Sequence, residues 1–202
     1  MSVVEGPKAQ SLIERVRLIL TKPQEAWGII DGETATVQGL YTGYACILAA
    51  IPPIASFIGA TLFHGLFSMV GLLVMAIVQY VLGLVMLFVL ALIADALAPS
   101  FDGQKSQIQA MKAVVYAWTA AWIGGALAII PIIGILGALV GGLYTLYLLY
   151  LGLPKLMKVP AEKAVGYTVV VILAGIVVSW VVLAIPAMLV GMLGIGLLAA
   201  YG

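Results

Sequence analysis

YLLYLGLPKLMKVPAEKA, residues Tyr147 to Ala164, decides the fold. An apolar helical run carrying tyrosines meets Pro154 and Pro160. Each lacks an amide donor and pushes its predecessor out of helical geometry, so the helix is expected to end near Leu153. Lys155, Lys158 and Lys163 then crowd a short segment before a second apolar run begins. Hydrophobic, basic, hydrophobic in that order is the pattern of a cytoplasmic loop between two membrane spans.

Working outward from the loop, the rest of the chain has the same character. Apolar residues make up 64% of 202 and charged residues 8%, where an average soluble domain has about 45–50% and about 25%. Several runs exceed the roughly 18–20 residues that cross a hydrocarbon core. No alternating barrel pattern occurs, and only helices or closed barrels satisfy the backbone in lipid, so the fold class is all-α, a polytopic membrane protein. Five spans are expected, at about 40–62, 68–94, 113–130, 132–153 and 165–190, with a neutral tail at 191–202. Pro52 and Pro53 should kink or break the first. Pro131 should make an uncharged hairpin between the third and fourth. A re-entrant hairpin over 113–153 would return to the same face, so charge alone leaves that crossing open.

Residues 1–39 read as a cytoplasmic amphipathic region ahead of a membrane domain at 40–202. Leu12, Ile13, Val16, Ile19 and Leu20 recur at helical spacing, with Glu14, Arg15 and Arg17 largely opposite, which suits a helix on the membrane surface or against the spans. Thr21 and Gln24 read as a capping box for a second short helix, ended by Asp31-Gly32, with Trp27 at the interface. With the N-terminus cytoplasmic, all nine cations share one face: Lys8, Arg15, Arg17, Lys22, Lys105, Lys112, Lys155, Lys158 and Lys163. The positive-inside rule then sets the N-terminus on the cytoplasmic side. Arg15, Arg17, Lys22, Lys155, Lys158 and Lys163 are the expected contacts for anionic lipid phosphates.

The net charge of +1 offers no nucleic-acid surface. Cys46 excludes an internal disulfide and multi-thiolate metal sites and reads as packing. The first strongly apolar run begins too far in for a cleaved signal. His64 has no companion ligands nearby, and no phosphate loop, dinucleotide fingerprint, HExxH or nucleophile elbow occurs, so no catalysis, cofactor or metal is expected.

The remaining polar residues have competing uses. Asp95 ends a span, where it sits among headgroups, pairs with Lys112 or Lys155, or marks an ion path. Asp102 with Gly103 reads as a turn and Lys105 as a phosphate contact. Tyr144, Tyr147 and Tyr150 share a broad helix face, either anchoring at the interface or lining a cavity with Tyr116, Thr119, Thr145 and Gln79. Gln79, deep in the second span, needs a hydrogen-bonding partner, most simply another helix. Gly137 and Gly141 form a GxxxG pair for close helix packing.

The run FDGQKSQIQAMKAVVYAWTAAWIGGALAIIPIIGILGALVGGLYTLYLLYLGLPKLMKVPAEKAVGYT, with KPQEAW before the first span, resembles the membrane domain of the Yip (Ypt/Rab-interacting protein) family in its bacterial branch. The likeness covers about residues 23–190. Its most specific parts are FDG at 101–103, the region of Tyr116, the Pro131 hairpin and YLLYLGLP at 147–154. The resemblance implies five membrane helices and a cytosolic N-terminus. Eukaryotic members are linked to Rab GTPases, traffic and membrane shaping, and associate with one another. This chain departs from them in its short N-terminal region, and a Rab-type GTPase is not expected in a bacterial host. Two functions are weighed: a non-catalytic membrane protein acting by helix association, as a homo-oligomer or with other membrane proteins, and a channel or transporter for an ion, small solute or lipid.

Overall fold

The computed structural model describes residues 11–64 and 69–201. Lys8 and the far side of the turn expected at 63–65 lie outside them. Among the described residues every regular element is helical, and five helices are long and apolar enough to cross a membrane: Val37–Leu62, Met69–Phe101, Gln107–Ile129, Pro131–Leu156 and Ala161–Trp180. They are called the first to fifth spans below. The chain is a polytopic all-α protein. Beyond Trp180 the last helix continues to Tyr201, so the tail expected after 190 extends the helix.

Two short helices precede the spans. In α1 (Leu12–Thr21) Ser11 and Glu14 form the capping box: the Ser11 side chain accepts from the Glu14 amide, and Glu14 Oε2 accepts from the Ser11 amide at 3.0 Å. This settles two of the donors that a helix start leaves unpaired. The Ser11 amide bond holds the Glu14 carboxyl below its ordinary pKa. The box expected at Thr21 does not form. Thr21 completes α1 by donating to Arg17 O at 2.7 Å, and α2 (Pro23–Gly32) starts on Pro23, which needs no amide partner there.

Both helices pack into the bundle, which corrects two expectations. On α1 Arg15 turns inward with Ile19, while Ile13 is 77% exposed. The outward turn of Ile13 follows from a carboxylate and an aromatic ring waiting for the guanidinium inside. Trp27 is buried, not interfacial, because Gly152 leaves it room: a Cβ there would stand 2.6 Å from the indole.

Thr36 caps the first span by accepting from the Gly39 amide at 3.0 Å. A π-helical turn at Tyr41–Ala45 follows, and the helix breaks at Ala50, just before the proline pair. Pro52 lies against Gly125, where a Cβ would meet the ring at 2.7 Å. The second span is about 50 Å long at 1.5 Å per residue, more than a core of about 30 Å requires. It ends in a 3₁₀ turn at Ala98–Phe101. Asp102 then takes the left-handed conformation (φ 56°), and the Gly103 amide closes onto Ala98 O at 2.9 Å. That is the turn expected from Asp102-Gly103, and it has a tertiary use, since the Gln104 amide donates to Met157 O at 2.7 Å and ties the two basic loops together.

The third and fourth spans pack as an antiparallel hairpin about Pro131. A Cβ on Gly124 would sit 2.3 Å from Gly137 O, and one on Gly141 2.7 Å from Ala120 O. Backbone touches backbone here. Pro154 does not end the fourth span, which runs to Leu156, with the Met157 amide bonded to Leu153 O and the Val159 amide to Pro154 O at 2.9 Å. A proline this close to the end costs one helical hydrogen bond and leaves the closing turn intact.

Candidate functional site

The end of the bundle that carries both basic loops also receives α1 and α2, and there the charged residues converge. Arg15, 1% exposed, pairs with Glu33 through Nη2 and lies over the Tyr116 ring, 5.5 Å from its centroid. Lys112, 2% exposed, donates to Ile30 O at 3.0 Å and to Glu33 O. These acceptors belong to the end of α2, whose terminal carbonyls carry partial negative charge and lack helical partners. Below this ionic layer Tyr116 packs edge-on against Tyr44 with centroids 4.9 Å apart, and the Tyr44 hydroxyl shares a 2.7 Å bond with Thr119. Arg15 Nε and Nη1, Glu33 Oε2 and the Tyr116 hydroxyl have no protein partner among the described residues.

A second tier joins the loops nearer solvent. Lys158, in the left-handed conformation (φ 54°), pairs with Asp31, to which Gln109 also donates, and Lys163 pairs with Asp102. These are half-exposed pairs, so each contributes about 0–1 kcal/mol. The buried tier is different in kind, because a guanidinium and an ammonium removed from water are tolerable only with their partners in place.

The expected residues separate into four sets. Arg15, Lys112, Tyr116 and Lys158 come together as described, so Arg15 is no lipid contact and Lys112 is no partner of Asp95. Lys112 is committed to α2. Asp95 is buried at 7% exposure, not set among headgroups, its Oδ1 without a donor among the described residues, while the neighbouring Ala94 O accepts from the Tyr167 hydroxyl at 2.8 Å. Arg17, Lys22, Lys105 and Lys155 stay exposed at the same end, Lys22 in an exposed pair with Glu25.

The cavity-lining set disperses. Gln79 faces outward from the second span, Thr145 bonds Gly141 O of its own helix, and Tyr116 and Thr119 belong to the ionic end. Tyr144 donates to Leu20 O at 2.9 Å, while Tyr147 and Tyr150 are exposed. Gly137 and Gly141 spend their packing surface inside the chain, on the third span.

Sequence reasoning passed over Glu33 and Tyr44, gave Asp31 only the end of a helix, and put Arg15 on the wrong side of α1, while Leu12, Val16, Ile19 and Leu20 pack inward as expected. One signal was present: acidic residues gather in the N-terminal region while lysines gather in the loops, a complementarity that predicts contact.

Comparison with known proteins agrees with this architecture. A family model described as the Yip1 domain matches residues 17–183. The chain is similar to the inner membrane protein YohC of Escherichia coli strain K12, 28% identical over 183 residues, covering 86% of this chain and 94% of that one. The same protein from Escherichia coli O6:H1 matches with the same identity and coverage. No solved structure matches.

Proposed function

The chain belongs to the Yip1 domain family, and from that premise we propose that it is a non-catalytic integral protein of the bacterial inner membrane that works by associating with another membrane helix. The observation that carries this reading is Gln79. Its side chain is exposed on the second span, about 15 Å in from Met69 by helical rise, and meets no partner among the described residues. A carboxamide facing hydrocarbon costs free energy that a hydrogen bond to a neighbouring helix recovers, on the order of 1 kcal/mol. The glycine pair cannot serve as that surface, being occupied within the chain, so association falls to the face of the second span.

The name of the similar YohC protein supports the inner membrane as the location. The gathering of described cations at one end supports a cytoplasmic N-terminus, with exposed Arg17, Lys105 and Lys155 set toward anionic headgroups. A channel or transporter draws less support. Polar side chains would have to converge between the spans, and Gln79, Thr145 and Asp95 diverge.

The test is a Gln79→Cys variant, with Cys46 replaced by Ala, oxidised in native membranes and compared with Leu72→Cys and Val85→Cys. Crosslinking strongest at 79, together with a fall in associated species for Gln79→Leu in native mass spectrometry from nanodiscs, is expected. A chain that stays monomeric, captures no other membrane protein and is indifferent to Gln79→Leu refutes the reading.

A further inference from the structure

The hairpin of the third and fourth spans holds a concave feature that the association reading does not use. Because Gly124, Gly137 and Gly141 carry no side chains, backbone forms the floor of a groove of about 470 Å³, walled by side chains such as Val140 and almost wholly apolar. Its volume falls in the range of ligand pockets, roughly 300–1,000 Å³. One end is bordered by Tyr144, whose hydroxyl donates to Leu20 O. From Ile133 to Tyr144 the groove extends about 16 Å by helical rise, close to half of a hydrocarbon core of about 30 Å.

Beyond that end the chemistry changes. The rings of Tyr144 and Tyr147 are 5.6 Å apart, and Tyr147, with Thr21, Lys22 and Glu25, bounds a polar hollow on the α1–α2 junction. Lys22 Nζ and Glu25 Oε2 stand 3.2 Å apart there, both exposed. An apolar slot about one leaflet deep therefore abuts a site offering one cation and one carboxylate side by side.

We propose that this groove is a binding site for a single glycerophospholipid with a zwitterionic, primary-amine headgroup: an acyl chain in the glycine-floored slot, the phosphate on Lys22 and the ammonium on Glu25. Charge complementarity selects the occupant. A lipid with only negative charge would draw Lys22 away from Glu25 and leave that carboxylate without compensation, whereas an aminophospholipid supplies a partner for each member of the separated pair. The slot is shaped for a flexible chain more than for a helix, since Ile133, Leu136 and Val140 stand out along its rim. The site lies on different spans from Gln79 and is independent of the association reading.

The experiment reconstitutes the full chain in phosphatidylcholine vesicles containing a trace of phosphatidylethanolamine or phosphatidylglycerol with a diazirine in the acyl chain. After photolysis, adducts are mapped by mass spectrometry, with outward residues of the second span such as Val81 as the reference. Expected are phosphatidylethanolamine adducts concentrated on the groove relative to the reference, and exceeding those from phosphatidylglycerol by roughly three-fold, the scale of one exposed ion pair. Val140→Trp, at a position 66% exposed and facing the slot, should lower groove adducts without changing the reference. Glu25→Ala should bring the two lipids to parity, and its exposed position leaves the fold intact. Adducts spread evenly round the perimeter, no headgroup preference, or indifference to Glu25→Ala would overturn the proposal. So would crosslinks showing a second protein seated in the groove.

Discussion

Replacing Glu33 by Gln removes the carboxylate paired with Arg15 and leaves its guanidinium beside the Lys112 ammonium, both almost wholly out of solvent. Breaking a buried ion pair from one side costs about 3–5 kcal/mol, most of it the unpaired charge left behind. Arg15→Met should cost less, about 1–3 kcal/mol, because Met keeps the packing on Tyr116 and Lys112 remains close to the surviving carboxylate. The double variant removes both charges, and Lys112 keeps its carbonyl acceptors Ile30 O and Glu33 O. It should therefore be milder than Glu33→Gln alone, with a coupling energy of about 1–3 kcal/mol. The assay is hydrogen exchange over residues 12–21 in nanodiscs. A loss of about 3 kcal/mol in α1 docking speeds exchange roughly 100-fold, at 1.4 kcal/mol per tenfold. If the two single changes add, or if Glu33→Gln moves α1 exchange less than about two-fold, the buried Arg15–Glu33 layer does not hold the N-terminal helices.

Two further outcomes separate the packing and capping arguments. Gly137→Ala places a Cβ 2.3 Å from Gly124 O, where only backbone can yield, and should destabilise the hairpin by about 1–3 kcal/mol or more. Gly142→Ala, five residues on with nothing within 4 Å, should be neutral or stabilising by up to roughly 1 kcal/mol. Thermal unfolding of both in detergent checks the contrast. For the capping box the folded pKa of Glu14 lies below its ordinary 4.5, so its contribution is present above that value and fades as pH falls through the lower folded value. Protection at the start of α1, taken relative to the intrinsic exchange rate at each pH, should fall as pH drops below about 4.5, and Glu14→Gln should flatten that fall.

Span number and approximate limits were legible because crossing lipid demands long uninterrupted apolar runs, a constraint read one residue at a time. The prolines at 52, 53 and 131 marked a real break and a real hairpin. Pro154 misled, since its effect depends on how many turns remain beyond it. The sides that Arg15 and Ile13 take on α1 were misread for a more general reason. Periodicity assigns an arginine to water unless a buried partner exists, and Glu33 is 18 residues away across a turn whose path no local pattern reveals. Gly137 and Gly141 were recognisable as a close-approach surface. Which helix approaches is set by the hairpin, and the nearest partner in sequence won.

The two ends of the bundle use opposite means to bring segments together, and this explains where variable chemistry can reside. In the hairpin, contact depends on removing side chains, so almost any substitution at Gly124, Gly137 or Gly141 collides with backbone and the surface has little freedom to take on polar function. At the ionic end, contact depends on long charged side chains that reach backbone carbonyls and one another, with the exposed tier of Lys158–Asp31 and Lys163–Asp102 weakly held. That exposed tier can be rearranged at a cost of about 1 kcal/mol while the Arg15–Glu33 layer beneath keeps α1 and α2 in place.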